Sequence, residues 1–423
     1  FHAARLLAGW AMLLALFKFV AQVTPHPAER RLAFGLLLTA SGVGWLGLLL
    51  GAFPIDLWVP EAFVPYSLYA NPHFPLGIGL MALIFSQILQ ADAARAVDFG
   101  VTALLALVLA LVLPFALLTV WAVLVVFLGW RYVAAGRRLP ARQSWLTLSA
   151  VVAPLPVMAY FYRVSVSNPI FAGWSAQNIT PAPNVIDVAL GYGLVGLLAV
   201  AGGWRVIRQK ENNPGEWLAL LWALTTLGLV YFPFELQRRL ITGLHVPLCI
   251  LAALGLTRWL AGLKLKPRRR GQIVAGVIGV GAAGTLFIWS LPLLAATQPP
   301  GSSYGSSLLF VRADEQAAFN WLAKNTRPEA VVLASPRVSM FIPGQTRART
   351  YYGHPFETVN AAAKKAQAEA FFRGELAAPP ELVDFVFYGP AEQALGRPAA
   401  LNQLPVVYAN ATVTIYQHIR GTQ

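Results

Sequence analysis

The stretch FGVTALLALVLALVLPFALLTVWAVLVVFLGWRYVAAGRRLPAR, Phe99 to Arg142, decides the fold. No charged side chain occurs from Phe99 to Trp130, a run too long for one bilayer crossing, which needs about 20 apolar residues. Proline cannot continue a helix without losing a backbone hydrogen bond, so Leu113-Pro114-Phe115 reads as a turn between two membrane helices, the first of them short. The run ends at Arg131, Arg137, Arg138 and Arg142. A basic loop next to a membrane helix marks the cytoplasmic side, so the proline turn faces outward.

The same alternation extends in both directions. Arg30 and Arg31 follow the first apolar run, Arg95 precedes the quoted stretch, and Arg205, Arg208 and Lys210 follow a later run. Arg258, Lys264, Lys266 and Arg268 to Arg270 close the next basic loop. No Lys or Arg lies between Phe53 and Phe74, and only Arg163, Arg238 and Arg239 fall on that side of the later runs. The reading is a polytopic α-helical membrane protein with about ten crossings, at residues 3–23, 31–52, 74–90, 98–113, 115–135, 144–162, 185–204, 216–234, 240–262 and 272–296. Both ends of that set lie outside. Because Phe1 opens an apolar run with no leader pattern before it, an odd number of crossings is expected ahead of it. Lys18, near the inner end of its helix, reaches the headgroups with its long side chain.

Composition agrees: 57% hydrophobic residues, 12% charged and a mean hydropathy of +0.59 over 423 residues are far from an ordinary soluble chain. The net charge of +14 does not point to nucleic acid, because residues 300–423 carry only +2 of it and the rest sits mostly in the inner loops beside anionic headgroups. Cys249 is the only cysteine and lies in an apolar run, which excludes a disulfide framework and CxxC chemistry. There is no GxGxxG, Walker A loop or GxSxG, so neither nucleotide-fuelled nor serine-hydrolase chemistry has support.

Residues 1–297 therefore form the membrane domain, and 298–423 a small α/β domain placed outside the membrane, after a linker at Gln298-Pro299-Pro300-Gly301-Ser302-Ser303. In that second domain Asp314–Asn325 and Val359–Arg373 read as helices. Ala330–Ala334, Thr350–Tyr352, Asp384–Tyr388, Pro405–Tyr408 and Thr412–Gln417 read as strands, giving a largely parallel sheet ending in an antiparallel hairpin. Gly353 to Thr358, just after a strand, suits either a ligand loop or a helix cap at Thr358.

Three outward sets carry the candidate chemistry. The loop FPIDLWVPEAFVPYSLYANPHF (Phe53–Phe74) is too hydrophobic to be solvated, and its prolines predict short interfacial helices. Within it Asp56 and Glu61 are candidate general bases, with Asn71 and His73 as polar contacts; the same residues also suit helix caps in an aromatic belt. The second set is Gln237-Arg238-Arg239, two adjacent arginines against the charge trend. Guanidinium binds phosphate bidentately, so the pair suits a substrate phosphate, a lipid phosphate or an ion pair with Glu235. The third is Arg163 with Asn168, Trp174, Gln177 and Asn178, suited to sugar or headgroup contacts. Arg347, Arg349, Lys364 and Lys365 are expected to be solvated.

The segments PEAFVPYSLYANPHFPL, PFELQRRLITGLHVPL and AFNWLAKNTRPEAVVLASP, taken with this architecture, resemble bacterial membrane-embedded GT-C glycosyltransferases. The resemblance implies transfer of a sugar from a polyprenyl-phosphate carrier to an acceptor at the outer face of the plasma membrane. It further implies Arg238, Arg239 and Gln237 on the leaving phosphate, a carboxylate such as Asp56 or Glu61 on the acceptor hydroxyl, and in many members a divalent cation, Mg or Mn. The acidic catalytic residue of the group lies in the first outer loop, a region expected ahead of Phe1. The alternative is a non-catalytic subunit of a larger membrane complex on the same scaffold. A transporter would need helix-breaking or ionisable sites near the midplane.

Overall fold

In the computed structural model, residues 1–209, 213–297 and 310–418 are described. The chain divides into two compact units, one of residues 1–163 and 179–290, the other of 164–178 and 291–423. The linker read at 298–303 lies outside the described residues. The first unit is helical: α1 (His2–Val23), α2 (Pro27–Thr39), α3 (Gly44–Gly47), α4 (Val64–Tyr69), α5 (His73–Leu89), α6 (Ala96–Val112) and α7 (Pro114–Ala134). It continues with α8 (Ala141–Val152), α9 (Leu155–Ser167), α11 (Val185–Arg208), α12 (Pro214–Val230), α13 (His245–Gly262) and α14 (Pro267–Thr297), the ends of α9 and α14 passing into the second unit. The short α10 (Pro169–Gln177) belongs to that second unit, a division the sequence reading missed.

Among the described residues, six helices are long and apolar enough to cross a membrane: α1, α7, the run Ala141–Ser167 that joins α8 to α9, α11, α13 and α14. The chain is a membrane protein by this test. The run expected at 31–52 is not one helix but the pair α2 and α3, bent by 41°. The expected crossings at 74–90, 98–113 and 216–234 appear as α5, α6 and α12, each of 17 residues. Pro114 begins α7 at its first turn, where the missing N–H costs nothing, and Leu113 between the helices is extended at ψ 72°.

The break between α2 and α3 is the irregular feature of the helical core. Ala40 is extended, and the amides that follow find partners on two other helices: Ser41 N–H donates to the Gly281 carbonyl of α14 at 2.8 Å, and Val43 N–H to the Leu190 carbonyl of α11 at 3.0 Å. Helix α11 is kinked at Gly193, whose φ of 42° suits a residue without Cβ.

Two buried acids of this unit share one arginine. Arg258 of α13 reaches Glu29 of α2 at 3.3 Å and both oxygens of Glu216 on α12, and it donates to Gln209 at 3.0 Å. Both acids are buried. A basic residue that the sequence places in an inner loop is thus a clamp between three helices.

The second unit carries a five-stranded sheet, β1 (Val331–Leu333), β2 (Arg349–Thr350), β3 (Phe385–Tyr388), β4 (Val406–Ala409) and β5 (Thr414–Gln417), in the order β2-β1-β3-β5-β4. Strand β1 pairs in parallel with β2 and β3, while β5 runs antiparallel to β3 and β4, so the expected terminal hairpin is present but the sheet is mixed rather than largely parallel, because the hairpin inserts β5 beside β3. Successive strand residues point to opposite faces. Val332, Phe387 and Ile415 pack with Phe319 of the helix Ala313–Asn325, and Leu333, Tyr388 and Tyr416 with Phe371 and Phe372 of the helix Ala361–Phe372.

Removing the clamp leaves two buried carboxylates without a cation. Arg258→Met should lower the stability of detergent-solubilised protein by about 3 kcal/mol, the lower end for a broken buried pair because Arg258 is 27% exposed. Adding Glu29→Gln and Glu216→Gln should recover most of that loss in a thermal-unfolding measurement. A triple variant no more stable than Arg258→Met would show that the clamp acts through packing instead.

Candidate functional site

The prolines of the loop between α3 and α5 do what their positions predict. Pro54 precedes a 3-10 turn at Ile55–Leu57, Pro60 opens another at Pro60–Ala62, Pro65 lies in the first turn of α4, and Pro72 caps α5. The loop is folded into the helical unit: Asp56 is 1% exposed, Glu61 2% and Phe63 1%.

Glu61 meets the second candidate set. Its Oε1 accepts a hydrogen bond from Arg239 at 3.1 Å, and its backbone carbonyl accepts from Gly243 N–H at 3.2 Å. The Arg239 guanidinium lies 5.6 Å from the centre of the Phe115 ring, the residue beside the proline turn. His73 is within electrostatic range of Arg239. Arg238 lies 4.7 Å over the Trp58 ring, a contact worth about 0.5–1 kcal/mol at a partly open site. Its Nε is buried with no hydrogen-bond partner, and burial pulls the guanidinium below its ordinary pKa, with Glu61 opposing and Arg239 adding to the shift. Two sets that are far apart in the chain thus meet at one place.

Backbone contacts hold this place together. The segment after α10 pairs with the arginine turn through Thr180 N–H to the Glu235 carbonyl at 2.9 Å and Arg238 N–H to the Thr180 carbonyl at 3.1 Å. Gln237 is occupied structurally: its Oε1 accepts from Ala182 N–H at 3.1 Å and its Nε2 donates to the Phe232 carbonyl at 2.9 Å. Glu235, considered as an ion-pair partner, is exposed, and the acid found on Arg239 is Glu61.

Other candidates lie elsewhere. Asn71 is exposed, with its carbonyl accepting from Phe74 N–H. Arg163 is an exposed residue of α9. Trp174, Gln177 and Asn178 belong to the second unit, where Gln177 donates to the Thr358 carbonyl at 2.7 Å and accepts from Asn360 N–H at 2.9 Å, while Asn178 donates to the Phe356 carbonyl at 2.8 Å. These side chains clamp the loop after β2. The cap of the following helix falls on Asn360 rather than Thr358, whose hydroxyl instead accepts from Gly353 N–H at 3.1 Å.

Asp56 faces away from the arginines, into a cavity lined by Ser41, Phe63, Tyr66, Thr285, Ile288 and Trp289. Its Oδ2 accepts from Gly44 N–H at 3.0 Å, while Oδ1 has no partner. A Cβ on Gly44 would fall 2.0 Å from Oδ1, so only glycine lets the carboxylate approach this closely. Burial pushes the Asp56 carboxyl up to about 6, although the backbone amides of Gly44, Asp56 and Gly42 pull the other way. Ser41 and Thr285 were not singled out by sequence reasoning. The available signal was the interruption Ser41-Gly42-Val43-Gly44 inside an apolar run.

No group of three or more His, Cys, Asp and Glu is brought together among the described residues. The acids present, Glu61 on Arg239 and Asp56 alone, do not fit a divalent centre, and no step is derived through one. No protein-family model matches the chain, and no curated protein matches it either.

A carboxyl with a raised folded pKa favours folding most when protonated. The Asp56 contribution is full below the ordinary value of 3.8 and lost as pH rises through about 6. In buffer free of small metal cations, wild-type stability should fall relative to Asp56→Asn between about pH 4 and pH 7. Parallel pH profiles of the two proteins would show that the carboxyl is hydrated.

Proposed function

We propose that this protein is a bacterial plasma-membrane glycosyltransferase of GT-C type that moves a sugar from a polyprenyl-phosphate carrier to an acceptor at the outer face. Ten crossings underlie the reading, with the bent pair α2–α3 and the shorter helices α5, α6 and α12 joining the six long helices, and with the C-terminal α/β domain extracytoplasmic. The positive-inside pattern supports that orientation. The observation that carries the functional reading is the Arg238–Arg239 pair beside Glu61. Arg239 is held by an acid, whereas Arg238 lies on an aromatic ring with a buried, unpartnered Nε.

A polyprenyl-phosphate sugar keeps its tail in the bilayer and brings its phosphate to the surface. Arg238 offers donors already ordered by Trp58, and charge developing on the leaving phosphate is stabilised by guanidinium placed in advance. Arg239 turning to the same phosphate would release Glu61. Glu61 would then take the acceptor hydroxyl proton as the acceptor oxygen bonds to the anomeric carbon and the bond from that carbon to the phosphate breaks. Asp56 lines a cavity of about 10 Å³, small beside a sugar ring, so we assign it no step. Membrane lipids and the carrier are the partners; nucleic acid is not.

Transfer of radiolabelled sugar from polyprenyl-phosphate donors should fall by about 100-fold or more in the Arg238→Ala/Arg239→Ala double variant, and by a similar factor in Glu61→Gln. Unchanged transfer in the double variant would remove the site. Absence of transfer by the wild type with every donor would favour the scaffold-subunit reading.

A further inference from the structure

Four acidic side chains among the described residues of the helical unit are buried: Glu29, Asp56, Glu61 and Glu216. Glu29 and Glu216 share Arg258, and Glu61 has Arg239. Asp56 has no arginine, lysine or histidine in salt-bridge range among the described residues. Its surroundings are rich in idle oxygen. Asp56 Oδ1, Ser41 Oγ and Thr285 Oγ1 are all buried without a hydrogen-bond partner, and all three residues line the same cavity. The Gly42 carbonyl, freed by the break between α2 and α3, accepts no hydrogen bond among the described residues. The point where Gly284 would carry a Cβ lies 2.3 Å from Ser41 Oγ, 3.0 Å from the Gly42 carbonyl oxygen and 3.5 Å from Asp56 Oδ2, so these oxygens converge on one spot beside α14.

We propose that this cavity binds one small monovalent cation of sodium size, through the Asp56 carboxylate, the Ser41 and Thr285 hydroxyl oxygens and the Gly42 carbonyl. The cavity offers about 10 Å³ to the centre of a water-sized sphere, room for a single small occupant. All four donors are hard oxygens, and the hydroxyls can present lone pairs as readily as hydrogens. One carboxylate balances one positive charge. A divalent ion would call for more carboxylates or for retained waters that the space does not hold. Phe63, Tyr66, Ile288 and Trp289 complete the lining. A helix broken within an apolar chain is a means of offering a backbone carbonyl to an ion, and the break at Ala40–Val43 leaves the Gly42 carbonyl close to Ser41 Oγ beside Gly284. The inference does not depend on sugar transfer, because Asp56 has no step in it.

The test is thermal unfolding of the detergent-purified protein at about pH 8, where an aqueous carboxyl is ionised, in NaCl, KCl and choline chloride at equal ionic strength. Na+ should raise Tm by a few degrees in a saturable manner, K+ should do less, and choline nothing. Asp56→Asn and Thr285→Val, which replaces only the hydroxyl, should each lose the Na+ shift. Should Asp56→Asn fail to fold, Ser41→Ala with Thr285→Val carries the comparison, and binding of radioactive sodium to the wild type and to Thr285→Val supplies a second readout. Equal Tm in all three salts would overturn the proposal and leave a bridging water or a proton in the cavity. A Na+ shift retained in Thr285→Val and Ser41→Ala would place the ion elsewhere and overturn it equally.

Discussion

In an apolar environment a backbone N–H without a partner costs several kcal/mol, and that constraint organises the centre of the helical unit. The extended residues between α2 and α3 have no helical partners of their own. Ser41 and Val43 are satisfied by carbonyls of α14 and α11, the latter three residues before the kink at Gly193. A further donor, Gly44 N–H at the start of α3, is taken by Asp56 from the loop that follows. Break, kink and buried carboxylate are thus one arrangement. Filling Gly193 or Gly44 with a side chain would disturb all three, since a Cβ at Gly193 meets the Val43 amide at 3.2 Å and one at Gly44 meets the Asp56 carboxylate at 2.0 Å.

Much of the helical layout is legible as hydropathy because lipid-facing and core-facing residues are both apolar, so every helix announces itself as an uninterrupted run. The proline at 114, the turns of the Phe53–Phe74 loop and the alternating strands of the second unit are legible for the equally local reason that proline and period-two patterns act within a few residues. The break at Ala40–Val43 is not, because Ala, Ser, Gly and Val occur freely inside membrane helices, and what ends α2 is the offer of carbonyls from helices some 150 and 240 residues later. The membership of α10 in the second unit is hidden likewise. It depends on Gln177 and Asn178 bonding to backbone near residues 356 to 360, a choice made by the partner rather than by the helix.

The candidate site was half legible. Adjacent arginines on the side that basic residues avoid are an anomaly any reading finds, and the loop of Asp56 and Glu61 stands out for being hydrophobic and acidic together. Nothing in the sequence pairs Glu61 with Arg239, residues 178 apart, or turns Asp56 away from them. Those outcomes follow from the close approach of glycine backbone around Asp56 and from the Gly243 amide, which anchors the Glu61 backbone beside the arginine turn.

Charge complementarity sorts what is left. Three of the four buried acids in the helical unit are matched to arginines, and breaking such a match exposes an uncompensated charge to a low dielectric. Two groups stand outside the matching: the Asp56 carboxylate and the Arg238 guanidinium. Neither forms a salt bridge with the other, since Asp56 lines a cavity with Ser41 and Thr285 while Arg238 lies on Trp58. An unmatched charge held by the fold is stabilised by an ion of opposite sign, a cation at the first and an anion at the second. The two proposals made for this protein, a small monovalent ion on Asp56 and a phosphate on Arg238, therefore come from the same electrostatic argument applied to opposite signs. They remain separable because each is read on residues that the other does not use.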